Sequence, residues 1–217
     1  MAERLSRIQE RERAALVADL QELGPEQWRS ATLCTGWDVE EVVAHLGAAA
    51  RTGMGAWTRS MVRARFDADV HNRRLLEAFR GATPEETLDR FRAVGPIALP
   101  FADSPGGLGE LVVHAEDVRR PLGLTHRVDP AGLLVVARFF ATRDFAVNSR
   151  SLVRGLTLVA SDAGFRHGSG PEVRGPLLAL VMTMAGRPSH LGELTGAGVP
   201  ELARRVGGSS AERRAPA

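Results

Sequence analysis

The sequence predicts an α+β chain that is mainly α: an all-helical part over residues 1–148, a small α/β part over 149–206, and a disordered tail over 207–217. Two patterns carry this. Before Asn148, apolar residues recur at helical spacing between Gly and Pro breaks. After it, a short Leu/Val run and closely spaced glycine turns replace them. The 217 residues suit one large domain or two small ones.

The elements follow in order. Leu5, Ile8, Leu16, Leu20 and Leu23 make an amphipathic helix over Ala2 to Leu23, which Gly24-Pro25 stops. Asp38 with Glu41 three residues on forms a capping box ahead of Val39, Val42, Val43 and Leu46, and this helix is expected to run past Gly47 and Gly53 towards Arg65. Short helices fit Asn72–Arg80 and Glu85–Val94, the latter opened by Thr83-Pro84. Gly95 to Gly107 reads as a loop, Leu108 to Arg120 as a helix ended by Pro121, and Asp129-Pro130 opens a helix reaching about Val147. Ser151–Ser161 reads as a strand, Phe165 to His167 as a short second one, Leu177–Ala185 as an apolar helix and Pro200–Val206 as a last short helix.

Composition excludes several function classes. The 28 basic residues are all Arg and face 26 acids, a net charge of +2. With no Lys and no Tyr, little titrates between His and Arg, so the pI of 9.7 overstates the basic character. No clustered basic excess marks a nucleic-acid or membrane surface, and the longest apolar run is too short for a bilayer. A single cysteine, Cys34, rules out an internal disulfide and suits a reducing compartment. With no apolar run of secretory type among the first residues, a cytoplasmic protein is expected.

The residues that carry chemistry lie on two of the helices. In GELVVHAEDVRR, Glu110 and His114 stand four apart, so one helical face presents both, and Asp117 continues the stripe. A solvated polar face is the plainer explanation. His45 sits beside the apolar stripe of its helix, where a histidine is usually a half-buried packing residue. Together, however, His45, Glu110 and His114 make two imidazoles and a carboxylate, the ligand set of an open zinc site with a fourth position for water or substrate. Facing helices of a bundle are a known place for such sites. Cys34 is a nucleophile, a fourth ligand or a small buried hydrophobe, the last being the commonest state of a single cysteine. Trp28, Trp37 and Trp57 read as core or pocket wall. His71, His126, His167 and His190 read as surface residues.

The run TLCTGWDVEEVVAHLG, followed by GELVVHAEDVRRPLG, resembles the mycothiol-dependent maleylpyruvate isomerase family of the DinB-like four-helix-bundle superfamily. The C-terminal SDAGF and RGPLLALVMTMAGR are similar to the small α/β domain those enzymes append, so the resemblance covers about residues 3–206. It implies an N-terminal DinB-like metal-binding bundle with zinc, or another divalent metal, on His45, Glu110 and His114. Asp117 then stands behind the ligands, or pairs with Arg120. Arg187 is offered to a substrate carboxylate, although an Arg there also suits a helix C-terminus. Thr35 stands where the family usually has Pro, a departure away from the ligands.

The resemblance further implies mycothiol as thiol cofactor and a small electrophilic substrate, an unsaturated acid isomerised from cis to trans. A mycothiol S-transferase and a non-catalytic metal-binding module are the alternatives. No nucleic-acid or membrane partner is expected, and a monomer or homodimer is.

Overall fold

A computed structural model describes residues 2–98, 104–144 and 147–212. It is mainly helical, with one small sheet, as the sequence predicts. The helices are α1 (Ala2–Gln21), α2 (Pro25–Trp28), α3 (Val39–Arg51), α4 (Met54–Arg63), α5 (Ala68–Phe79), α6 (Pro84–Ala93), α7 (Pro105–Arg119), α8 (Pro130–Thr142), α9 (Ser149–Val153), α10 (Leu177–Met184) and α11 (Val199–Glu212). The strands are β1 (Thr157–Ala160), β2 (Arg166–Gly168) and β3 (Glu172–Gly175). The chain divides into two compact units, Met1–Val128 and Asp129–Ala217.

In the first unit α1, α3, α6 and α7 pack around one core. Leu16 and Leu20 of α1, Val39, Val42, Val43 and Leu46 of α3, Leu88 and Phe91 of α6, and Leu111, Ala115 and Val118 of α7 meet there. Burial of each such side chain is worth about 1.5–3 kcal/mol. The capping box that starts α3 forms as expected: Glu41 N donates to Asp38 Oδ1 at 2.8 Å and Asp38 N to Glu41 Oε2 at 3.0 Å. Gly47 lets α5 approach α3, because a Cβ there would lie 2.2 Å from the Phe79 ring.

One side chain ties three further segments to α3. Glu40, 1% exposed, accepts from Arg80 Nη2 at 2.6 Å and from Thr87 Oγ1 at 2.9 Å, and pairs with Arg29 at 2.8 Å. Burial pushes its carboxyl up, but the bonds from Arg80 and Thr87 and the charges of Arg80 and Arg29 leave it below its ordinary value.

The structure corrects several boundaries. The α3 helix stops at Arg51 instead of running on to Arg65: Thr52 is extended and Gly53 becomes the N-cap of α4. After α4, Arg65 and Phe66 take left-handed backbone (φ 55° and 67°), a costly state for residues with a Cβ, before Asp67 caps α5. Part of the expected 95–107 loop is helix, because Ser104 caps α7 from Pro105 onward.

The second unit begins with α8, which packs on α9 and α10, so the division falls before this helix rather than at 148. Within the first unit both α5 and α6 pack on α3, and α6 also packs on α1. α8 stops at Thr142, short of the expected Val147, because Arg143 is extended, and residues 145 and 146 lie outside the described residues.

The stretch expected to be strand from Ser151 opens as α9, and Gly155 (φ 76°) separates that turn of helix from β1. The sheet order is β2-β1-β3. β2 runs antiparallel to β1, and β3 runs parallel to it. Asp162 Oδ1 accepts from Leu177 N at 2.9 Å and so anchors the start of α10. The tail expected to be disordered from 207 is helical to Glu212, where α11 ends, and residues 213–217 lie outside the described residues.

Candidate metal centre

The first unit gathers the three predicted ligands. His45 projects from α3, and Glu110 and His114 from one face of α7, which packs against α3. His45 Nε2 donates to Glu110 Oε1 at 2.8 Å, and His114 Nε2 lies 3.4 Å from the same oxygen. The two imidazole rings stand edge to face with centroids 4.9 Å apart. One donor atom from each of the three residues lies within 4.8 Å of the other two. Tetrahedral zinc with bonds of 2.0–2.1 Å sets its nitrogen and oxygen ligands about 3.3 Å apart, so the spacing fits after small adjustments.

The back of the site fits as well. His114 Nδ1 donates to Asp117 Oδ2 at 3.0 Å, and Asp117 is fully buried. A carboxylate on Nδ1 fixes the ring and the tautomer and leaves Nε2 facing the other ligands, the usual support of a metal-bound histidine. Arg187 lies in the second unit, at the N-cap of a 3-10 helix over Pro188–Glu193, with Nη1 on Ala185 O at 2.9 Å.

The charges are coupled. Burial alone would raise Glu110, but His114 and His45 hold its carboxyl well below the usual range. Burial alone would lower His114, but Cys34, Glu110 and Asp117 raise it well above the usual imidazole value. An imidazolium beside a carboxylate is what such a donor set becomes when protons stand in for a cation.

Two residues gain roles that the sequence left open or bland. Cys34 is a half-buried polar partner rather than a buried hydrophobe: its Sγ donates to Asp117 Oδ2 at 3.0 Å and lies 3.3 Å from His114 Nδ1. That places it on the Nδ1 edge of the ring, away from Nε2. Trp37 sets its ring 4.9 Å from that of His45, tilted by 48°, and walls the site.

Both come from a loop with a definite construction. Cys34 N donates to Thr32 Oγ1, Thr32 Oγ1 to Trp37 O, and Leu33 N to Asp117 O on α7. Gly36, at φ 80°, turns the chain between Cys34 and Trp37. Thr35 is exposed at the tip, clear of the ligands. The Cys-Thr-Gly-Trp run just ahead of a capped helix was the available signal.

Two of the four histidines assigned to the surface are buried. His71 is 2% exposed and packs edge-on to Trp57, and His190 is 1% exposed beside Ser189. His126 pairs with Glu12 at 2.7 Å. Among the described residues no helix is long and apolar enough to cross a membrane.

Comparison with known proteins shows what the chain is similar to. Residues 10–103 match the model of the mycothiol maleylpyruvate isomerase N-terminal domain, a span that includes His45 and ends before Glu110. No curated protein matches the chain significantly. Two solved structures share its fold. The mycothiol-dependent maleylpyruvate isomerase superposes with a TM-score of 0.58 at 16% identity, over 91% of this chain and 93% of that one. A histidine-to-alanine mutant of such an isomerase gives 0.56 at 14% identity with the same coverage. Residues 10–103 are thus similar to the N-terminal domain of the mycothiol maleylpyruvate isomerases, and the fold is shared with two structures of those enzymes over 91% of the chain.

Proposed function

We infer that this protein is a zinc-dependent enzyme that uses mycothiol to isomerise an unsaturated acid. The convergence of His45 Nε2, Glu110 Oε1 and His114 Nε2, with Asp117 on the opposite nitrogen of His114, carries this reading. When bound, zinc would supply the Lewis acidity that ionises a thiol, and the thiol a nucleophile that adds to a conjugated cis double bond, permits rotation and leaves the trans isomer.

The chain's own residues do the rest. Asp117 holds the Nδ1 proton of His114, which keeps Nε2 available for coordination. Glu110 offsets one positive charge and leaves a cationic site able to take an anionic sulfur. Trp37 shields the His45 face from water, which strengthens these interactions. Arg187 is the group assigned to a substrate carboxylate, as a bidentate partner.

The test is metal analysis together with turnover of maleylpyruvate, a cis-unsaturated dicarboxylate, with and without mycothiol. The wild type is expected to hold one zinc on the His45 set and to give the trans product only when the thiol is present, with the thiol recovered. His114→Ala is expected to lose that zinc and the activity while keeping its helical circular-dichroism spectrum. A consumed thiol and a stable carbon–sulfur adduct would instead identify a transferase. Zinc without turnover of any unsaturated acid would identify a binding module.

A further inference from the structure

The geometry points to a second cation site on the other edge of the same histidine, made by Cys34 Sγ, His114 Nδ1 and Asp117 Oδ2 and suited to a thiophilic metal ion. The three atoms form a tight triangle, with Sγ 3.3 Å from Nδ1, Sγ 3.0 Å from Oδ2, and Nδ1 3.0 Å from Oδ2. Each residue offers a different ligand type, and the three donors satisfy the spacing of a metal-binding group as the His45 set does. Around a tetrahedral ion with metal–sulfur bonds near 2.3 Å, sulfur and nitrogen ligands sit about 3.5 Å apart, so the triangle needs to open by only a few tenths of an ångström.

The chemistry of the set selects its occupant. A thiolate with an imidazole and one carboxylate favours Zn2+, Cd2+ or Cu+ over Mg2+ or Ca2+, which prefer oxygen cages. Cys34 reaches the set from the loop tip, and its partial exposure gives an entry path that fully buried Asp117 lacks. On binding, the Cys34 thiol and His114 Nδ1 each release a proton to solvent, so that with Nε2 also coordinated His114 bridges the two cations as an imidazolate, and Asp117 turns from accepting those two protons to holding the second cation. His114 then faces two cation positions, Nε2 towards His45 and Glu110 and Nδ1 towards Cys34 and Asp117. The second set shares His114 with the ligands of the zinc site proposed above, takes in the Asp117 that stands behind them, and rests on its own three atoms.

The test is a titration of the full-length, metal-free protein with Cd2+, following total uptake by equilibrium dialysis and the ultraviolet thiolate-to-cadmium charge-transfer absorption. Wild type is expected to take up two equivalents, one of which produces the band. Cys34→Ser should lose the band and one equivalent while keeping the silent one. His45→Ala should keep the band and lose the silent equivalent, and Asp117→Asn should weaken the band-forming step. Circular dichroism confirms that each variant is folded.

A wild type that binds Cd2+ with no band would overturn the proposal. So would a single equivalent whose band vanishes in both Cys34→Ser and His45→Ala, which would mean that the sulfur belongs to the first set. A band unchanged in Asp117→Asn and in His114→Ala would also overturn it, as capture by a bare thiol. Uptake of the band-forming equivalent alone, retained in His45→Ala, would sustain this site while removing the zinc site proposed above.

Discussion

Asp117 is the residue whose role rests most on tertiary contacts. Its place three residues after His114 was visible in the sequence and brings its carboxylate to Nδ1 within one helix, but its bonds from Cys34 Sγ and Leu33 N come from the loop that packs over it. Asp117→Asn should lower zinc affinity about 10- to 100-fold, measured by competition with a chromophoric chelator. An unchanged affinity would mean that His114 needs no such support. His114 itself gives a pH prediction. Its imidazole is held above its usual value, which favours the protonated ring in the cation-free protein, and zinc must compete with that proton. Zinc uptake in weakly buffered solution at neutral pH should release protons, and affinity should fall as the pH is lowered. Calorimetry in buffers of different ionisation enthalpy reads both effects.

At the scale of elements, the sequence showed most helices and missed what joins them. Asp38 and Glu41, Thr83-Pro84 and Asp129-Pro130 announce helix starts by local chemistry alone, and each lies where expected. Glu40 announced nothing, since a glutamate in a first helical turn is ordinary, yet it binds groups 11 to 47 residues away that only the packed fold brings near. α6 looked like a minor helix because it is short and polar, and its place in the bundle rests on Leu88 and Phe91. β3 was missed because a four-residue strand between Pro171 and Pro176 carries no alternation long enough to see.

Two predictions belong to this scale. Gly47→Ala should force the Phe79 ring and α5 away from α3 and cost about 1–3 kcal/mol, read from urea midpoints. The Glu40 carboxyl is lowered in the folded state, so its contribution is complete above its ordinary value and is lost as pH falls through the folded value. Glu40→Gln should therefore cost about 1–3 kcal/mol at neutral pH and flatten the acid side of the stability curve. A variant whose acid limb matched wild type would show that Glu40 contributes nothing there.

For the whole molecule, ligand binding and folding are linked. Zinc at a hundredfold excess over its Kd should stabilise the protein by about 2.7 kcal/mol and raise the melting temperature of the metal-bearing unit by about 10 °C. Superimposable melting curves in zinc and in chelator would remove the metal from the folded state. The unit boundary at Val128 has a consequence of its own. Every donor atom of both cation sets, and the Cys34–Trp37 turn behind them, lies upstream of that boundary, while Arg187 lies downstream. Scission there should leave a 1–128 fragment that still takes up zinc, and on the role proposed above for Arg187 that fragment would turn nothing over.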